Sequence, residues 1–199
     1  MYATTNRSRR GRDTAVSTTL PKGNTFLYRL GGAMALRGAT YEEVEADRGA
    51  TSQALVTVVL SSLAAGLGAR GFGASSPADV GVFSAVALMA WVAWSFVVFE
   101  IGARILPGAQ TRADLGQVLR TTGFATAPGL LRIVGVVPGL TIPSFAIAAV
   151  WMLVAMIIAV RQALDYTSTA RAVAVCGVGW VLAIAFAILF GVFFGAHVS

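Results

Sequence analysis

The sequence predicts an all-α membrane protein: a bundle of five transmembrane helices preceded by short amphipathic helices. Three observations carry this. Hydrophobic residues make up 56% of the chain and charged residues only 12%, against about 25% charged in an average soluble domain. Five apolar stretches approach the roughly 20 residues that a helix needs to cross a hydrocarbon core. Basic residues fall in alternate connections, as the positive-inside rule requires of a multi-pass protein. At 199 residues the chain is long enough for one domain, but it lacks the charge to coat a soluble one.

Residues 1–25, MYATTNRSRRGRDTAVSTTLPKGNT, are polar and basic and read as a disordered cytoplasmic tail. Ser8-Arg9-Arg10 resembles a twin-arginine signal, but the stretch from Thr14 to Thr25 is too polar for the apolar core that such a signal needs. The Arg-rich, acid-poor character of a transit peptide is the other targeting reading. Residues 26–50 hold Phe26, Leu27, Leu30 and Met34 at helical spacing, then Thr40-Tyr41-Glu42-Glu43. The second group has the form of a capping box, with Thr40 as cap and Glu43 reaching back. Two short amphipathic helices are expected here, lying on the membrane surface or packing on the protein itself.

The transmembrane domain follows in residues 51–195, with spans at 51–69, 80–106, 115–137, 142–160 and 173–194. The first, TSQALVTVVLSSLAAGLGA, extends about 28 Å at about 1.5 Å per residue. Pro128-Gly129 interrupts the third. The connections carry Gly, Pro, Ser and charge, as turns do.

One motif argues for a different class. GLGARGFG, residues 66–73, fits the G-x-G-x-x-G dinucleotide fingerprint through Gly66, Gly68 and Gly71. That fingerprint follows a short buried strand, opens a helix, and has a ribose-binding acid about 20 residues on. Here it ends a long apolar run, leads into the turn Ala74-Ser75-Ser76-Pro77, and is followed by a second apolar stretch where the acid belongs. Nucleotide binding is rejected. Gly66 and Gly68 are expected to pack closely or end a helix, and Gly71 and Gly73 to loosen the loop.

Orientation follows from the arginines. The N-terminal region carries Arg7, Arg9, Arg10, Arg12, Lys22, Arg29, Arg37 and Arg48. The second connection has Arg104, Arg112 and Arg120, and the fourth has Arg161 and Arg171. The first has only Arg70, and the third and the C-terminal tail have none. The N-terminus is expected in the cytoplasm and the C-terminus outside. The net charge of +6 then marks membrane orientation, and nucleic acid is not expected as a partner.

No catalytic constellation stands out. His197 is the only histidine and lies in the tail, and Cys176 is the only cysteine. No catalytic residue, metal or cofactor is expected, and Cys176 reads as a small apolar residue of a helix. Four features remain as site candidates. Glu100 and Arg104 form an i, i+4 pair near the end of the second span. Pro128 and Gly129 break the third, and such breaks line substrate sites in some transporters. Arg132 follows them, where a charge inside the membrane marks a site unless it is paired or reaches the interface. Arg161 and Asp165 form another i, i+4 pair, and Arg104, Arg112, Arg120, Arg161 and Arg171 together make a basic cytoplasmic face suited to a partner or to anionic lipid. Gly123, Gly129, Gly177 and Gly179 would let helices approach closely.

Three stretches together resemble the Yip1 family. They are MALRGATYEEVEADRGATSQALVTVVL leading into the first span, IGARILPGAQTRADLGQVLRTTGFATAPGLLRIVGVVPGL, and WMLVAMIIAVRQALDYTSTARAV. The resemblance lies in the order of elements more than in any one motif. The five expected spans and the cytoplasmic N-terminus add to it. Eukaryotic Yip1 relatives act with Rab GTPases in Golgi and endoplasmic reticulum trafficking. The Ala, Gly, Val and Arg bias points here to a GC-rich bacterium and its cytoplasmic (inner) membrane, where that system does not exist. The basic tail also departs from the acidic or aromatic N-terminus of many eukaryotic members. The expected function is therefore a scaffold or adaptor that organises membrane lipids, a membrane or cytoplasmic protein partner, or further copies of itself. The alternative is a small transporter or channel built around Pro128-Gly129, with Glu100 and Arg132 as pathway charges.

Overall fold

Helices form where the apolar runs stand. The computed structural model describes residues 25–73, 76–108 and 114–195, with side chains as far as Leu182 together with Ala185. The expected tail, apart from Thr25, lies outside the described residues. The elements are α1 (Phe26–Met34), α2 (Gly38–Ala46), α3 (Ala50–Gly68) with a 3-10 turn at Ala69–Phe72, α4 (Pro77–Phe99) with a π-helical continuation at Glu100–Ile105, α5 (Leu115–Phe124), a 3-10 segment at Ala127–Val136, α6 (Thr141–Ala163) and α7 (Thr169–Gly195). Three of them, Ala50–Phe72, Pro77–Ile105 and Thr141–Ala163, are long and apolar enough to cross a membrane.

Local chemistry sets the ends. Two capping boxes form where none was expected. Ser76 and Asp79 exchange side-chain-to-backbone bonds of 2.9 and 3.1 Å at the start of α4, and Asp114 and Gln117 do so at 2.8 Å each at the start of α5. The expected Thr40–Glu43 box is absent. α2 begins three residues earlier, at Gly38 with Arg37 in the cap position, and Thr40 is buried against Gly32 while Glu43 is engaged by Arg29. Arg161 and Asp165 do not face each other either. α6 ends at Ala163 and Asp165 turns into the left-handed region at φ 51°.

That turn is a Schellman motif, with Tyr166 N–H on the Arg161 carbonyl and Asp165 N–H on that of Gln162. Leu36 closes α1 in the same way at φ 58°. Leu36 packs on the core, but Asp165 is exposed. Asp165→Gly is therefore expected to raise stability by about 0.5–1 kcal/mol, since glycine carries no Cβ penalty there. Thermal unfolding in mild detergent checks this.

The expected third span is not one helix. It divides at Ala125–Thr126, upstream of the proline, into α5 and the 3-10 segment. Pro128 sits in the first turn of the second piece, where its missing N–H costs nothing. The two pieces nevertheless run beside α3 along its whole length and in the same direction. A Cβ on Gly123 would come within 2.9 Å of the Ala54 Cβ, and one on Gly129 would meet the Ser61 hydroxyl. One on Gly68 would fall on the Arg132 carbonyl oxygen, and one on Gly71 would lie 2.6 Å from that of Gly135. Partners advance together, and the two pieces end to end extend about 35 Å.

The glycines of residues 66–73 are thereby explained. Gly66 abuts Val80 and Ser84 of α4, while Gly68 and Gly71 press on the 3-10 segment. Gly71 is a contact rather than a loosener, and Gly73, at φ 101°, ends the turn. Gly179 packs under Trp94, whereas Gly177 has no neighbour within 4 Å.

Around the bundle, α4 packs on α3, α3 on the 3-10 segment, that segment on α6, α6 on α7, and α7 back on α4. These five elements close a ring. Ser95 and Thr122 share a hydrogen bond of 2.9 Å between α4 and α5. At one end the α1–α2 hairpin closes over the ring, with α2 on α5 and α6 and α1 on the 3-10 segment. Trp151 Nε1 donates to the Met34 carbonyl at 2.9 Å, which seats the hairpin tip halfway along α6.

Candidate functional site

The polar chemistry collects at the hairpin end. Phe26, Arg29, Leu30 and Ala33 occupy positions i, i+3, i+4 and i+7, so α1 carries Arg29 on its apolar face. Arg29 is 1% exposed. Its Nε donates to Glu43 at 3.0 Å, Nη1 to Gln53 at 3.1 Å and Nη2 to Asp47 at 2.6 Å. One guanidinium thus ties α1 to α2, to the following turn and to the start of α3. The Arg29 hydrogen bond, helped by the Gly49 N–H, holds the Asp47 carboxyl below its ordinary range.

Arg120 does similar work from α5. It is 6% exposed, and its Nε and Nη2 donate to the carbonyls of Val44 at 3.1 Å and Glu45 at 2.6 Å. A cation on the last carbonyls of α2 also matches the helix dipole. It is therefore spent inside the protein and withdrawn from the expected contact face. Beside it, burial first and the charge of Asp165 second push the Glu45 carboxyl up to about 7. A raised carboxyl binds more protons folded than unfolded, so stability falls as pH rises from about 4.5 toward 7. Glu45→Gln is expected to raise the melting temperature at pH 8 and to leave it nearly unchanged at pH 4.

Across this end, the Tyr166 hydroxyl donates between the carbonyls of Gly102 at 3.0 Å and Leu106 at 2.7 Å. Arg171 Nη1 reaches the Pro107 carbonyl at 3.3 Å. Both satisfy carbonyls that the end of the π-helical turn leaves open.

The other expected site residues separate. Glu100 and Arg104 form their ion pair at 2.8 Å, with the Arg104 side chain 68% exposed. Arg161 and Arg171 are exposed on the same end, while Arg112 lies outside the described residues. Pro128 and Gly129 are buried, Gly129 between Ser61 and Met152. Arg132 lies far from Glu100, opposite Gly68 at the other end of α3, with its guanidinium 5.6 Å over the Phe145 ring. It lines a cavity of about 280 Å³ inside the ring. Glu100 does not line it, so the two charges of the transporter reading do not share a path.

Sequence reasoning missed Arg29 as a hub, although its place on the apolar face of α1 was the available signal. Cys176 is buried in α7 as expected. Among the described residues no three of His, Cys, Asp and Glu gather as metal ligands.

The family model described as Yip1 domain matches residues 32–191. No curated protein and no solved structure matches the chain. With this match over most of the chain and its long apolar helices, the protein is an integral membrane protein.

Proposed function

The chain belongs to the Yip1 family, and on that premise we propose that it is a non-enzymatic scaffold or adaptor that crosses its membrane five times. It organises anionic lipid or a protein partner at the hairpin end of the bundle. The N-terminus and that end face the cytoplasm of a bacterial inner membrane, and the C-terminus faces out. α1 settles at the interface through Leu27, 75% exposed, and Tyr28, 46% exposed.

The observation that carries this reading is the division of labour among the arginines. Arg29 and Arg120 are consumed in holding the hairpin, while Arg104, Arg161 and Arg171 stay exposed on the same end. Arg112, between α4 and α5, and the tail residues Arg7, Arg9, Arg10, Arg12 and Lys22 add to that charge. Exposed pairs contribute about 0.2–1 kcal/mol each, so losing three lowers affinity by about threefold to on the order of a hundredfold. Crosslinking in native membranes with mass spectrometry of the recovered complex tests this. The triple change Arg104→Ala, Arg161→Ala, Arg171→Ala is expected to lose most of the recovered partner or anionic lipid. Unchanged recovery would remove the basis for the proposal.

A further inference from the structure

The cavity inside the ring is lined mainly by apolar side chains, among them Val58, Met152, Leu153 and Met156. Set into that lining are three buried hydrogen-bond donors, Trp91 Nε1, Trp94 Nε1 and Arg132 Nε, that have no partner among the described residues. Trp91 is only 8% exposed. A buried donor left open costs about 1–3 kcal/mol, and three around one cavity form a pattern. Arg132 adds a positive charge, with no carboxylate paired to it among the described residues. Among the described residues none accepts from these three N–H groups, although the hydroxyls of Ser61, Ser62 and Thr126 also line the cavity. The rim carries Ala90, Ala149 and Trp180, all exposed and all within apolar helices. The cavity therefore opens sideways, toward the region that hydrocarbon chains occupy.

We propose that this cavity binds one hydrocarbon chain of an amphiphile with an anionic oxygen head, the head on Arg132, Trp91 and Trp94 and the chain among the methionines. The volume stands at the small end of ligand pockets, about 300–1000 Å³. It takes part of one hydrocarbon chain, the rest extending through the sideways opening, and not a whole two-chain lipid. The head must accept hydrogen bonds, because Trp91, Trp94 and Arg132 only donate, while the hydroxyls of Ser61, Ser62 and Thr126 can give or take. A carboxylate meets this, as does the phosphate of a lipid that inserts one of its chains. The proposal stands apart from the scaffold reading, which rests on the opposite, exposed chemistry of the hairpin end.

The test is tryptophan fluorescence of the purified full-length protein in phosphatidylcholine nanodiscs, quenched by dibromostearate. Trp91, Trp94 and Trp180 line the cavity. The expected result is saturable quenching, weakened about tenfold by Arg132→Gln, a loss of roughly 1.4 kcal/mol. Dibrominated stearyl alcohol, which lacks the charge, should bind at least as weakly. Ala149→Phe fills the exposed rim without touching Arg132 and should also abolish saturation, which keeps the test decisive if Arg132→Gln does not fold. Doping the nanodiscs with unlabelled phosphatidylglycerol separates the sources. Loss of the stearate signal identifies a chain of a membrane phospholipid as the resident ligand, and an unchanged signal identifies the free carboxylate. Non-saturable quenching, equal in the wild type and both variants, would mean partition into the bilayer alone and would overturn the proposal.

Discussion

Gly68→Val is expected to leave little or no monodisperse protein in mild detergent. Any Cβ at this position falls on the carbonyl oxygen of Arg132 and lies 2.9 Å from the Phe145 ring. The first obstacle is backbone, which has no rotamer to turn away. α3 and the 3-10 segment, which pack directly on each other, would have to part. Overpacking commonly costs about 1–3 kcal/mol, and a clash with backbone belongs at or above the top of that range. Gly177→Ala is the matched control. Nothing lies within 4 Å of its Cβ, and alanine in a helix interior gains about 0.5–1 kcal/mol over glycine. Size-exclusion profiles and melting temperatures of the two variants should diverge in opposite directions. A Gly68→Val protein with an unchanged melting temperature would mean that α3 and the third segment do not touch as described.

The second large effect is expected from Arg29→Met. The substitution keeps the apolar stem and deletes the guanidinium that three side chains share. Glu43 and Asp47 are then left beside each other without their cation, their side chains 30% and 39% exposed. Breaking a buried pair from one side costs about 3–5 kcal/mol, and the partial exposure of the carboxylates places this case near the lower figure. The loss should be local before it is global. The α1–α2 hairpin should open while α3 to α7 stay packed. Limited trypsin digestion reads this directly, because Arg37 and Arg48 flank α2 and are exposed. Arg29→Met should be cut there faster than the wild type, with the remainder of the chain intact. Arg29→Lys should resemble Arg29→Met, since one ammonium cannot address three separated acceptors in a fixed fork.

Much of this fold was legible in the sequence because apolar length is a strong signal. The stretches at 51–69 and 142–160 became α3 and α6 within a few residues. The signal weakened where one residue type can serve two purposes. Thr40 and Glu43 have the spacing of a capping box, but tertiary contacts with Gly32 and Arg29 took both side chains. Ala74-Ser75-Ser76-Pro77 was read as a plain turn, although Ser76 caps α4 in a working box with Asp79. Pro128 was read as the breakpoint of the third segment, whereas a proline is equally at home in the first turn of a new helix. The break came three residues earlier.

The arginines show the same limit at the site. Positive-inside counting treats every arginine as a charge in water, and Arg29 and Arg120 are not. Only the contact partners distinguish an arginine that holds the hairpin from one that faces outward. For Arg29 the i, i+3, i+4, i+7 register was a usable hint. For Arg120 no sequence signal existed, because its acceptors are backbone carbonyls. The cavity was hidden for a related reason. Tryptophans in an apolar helix announce bulk, and whether their N–H groups find a partner depends on five elements at once.

The proposed arrangement has five crossings, with the hairpin, the second connection and the fourth on one side. Cysteine accessibility measures this most directly, and the single, buried Cys176 simplifies it. In a Cys176→Ala background, single cysteines replace Thr18, Ser75, Gln110, Pro138, Ser168 and Ser199 in turn. A membrane-impermeant maleimide on intact cells is expected to label the cysteines at 75, 138 and 199, and to reach those at 18, 110 and 168 only after permeabilisation. Labelling of 18 and 199 from the same side would make the number of crossings even and contradict the arrangement.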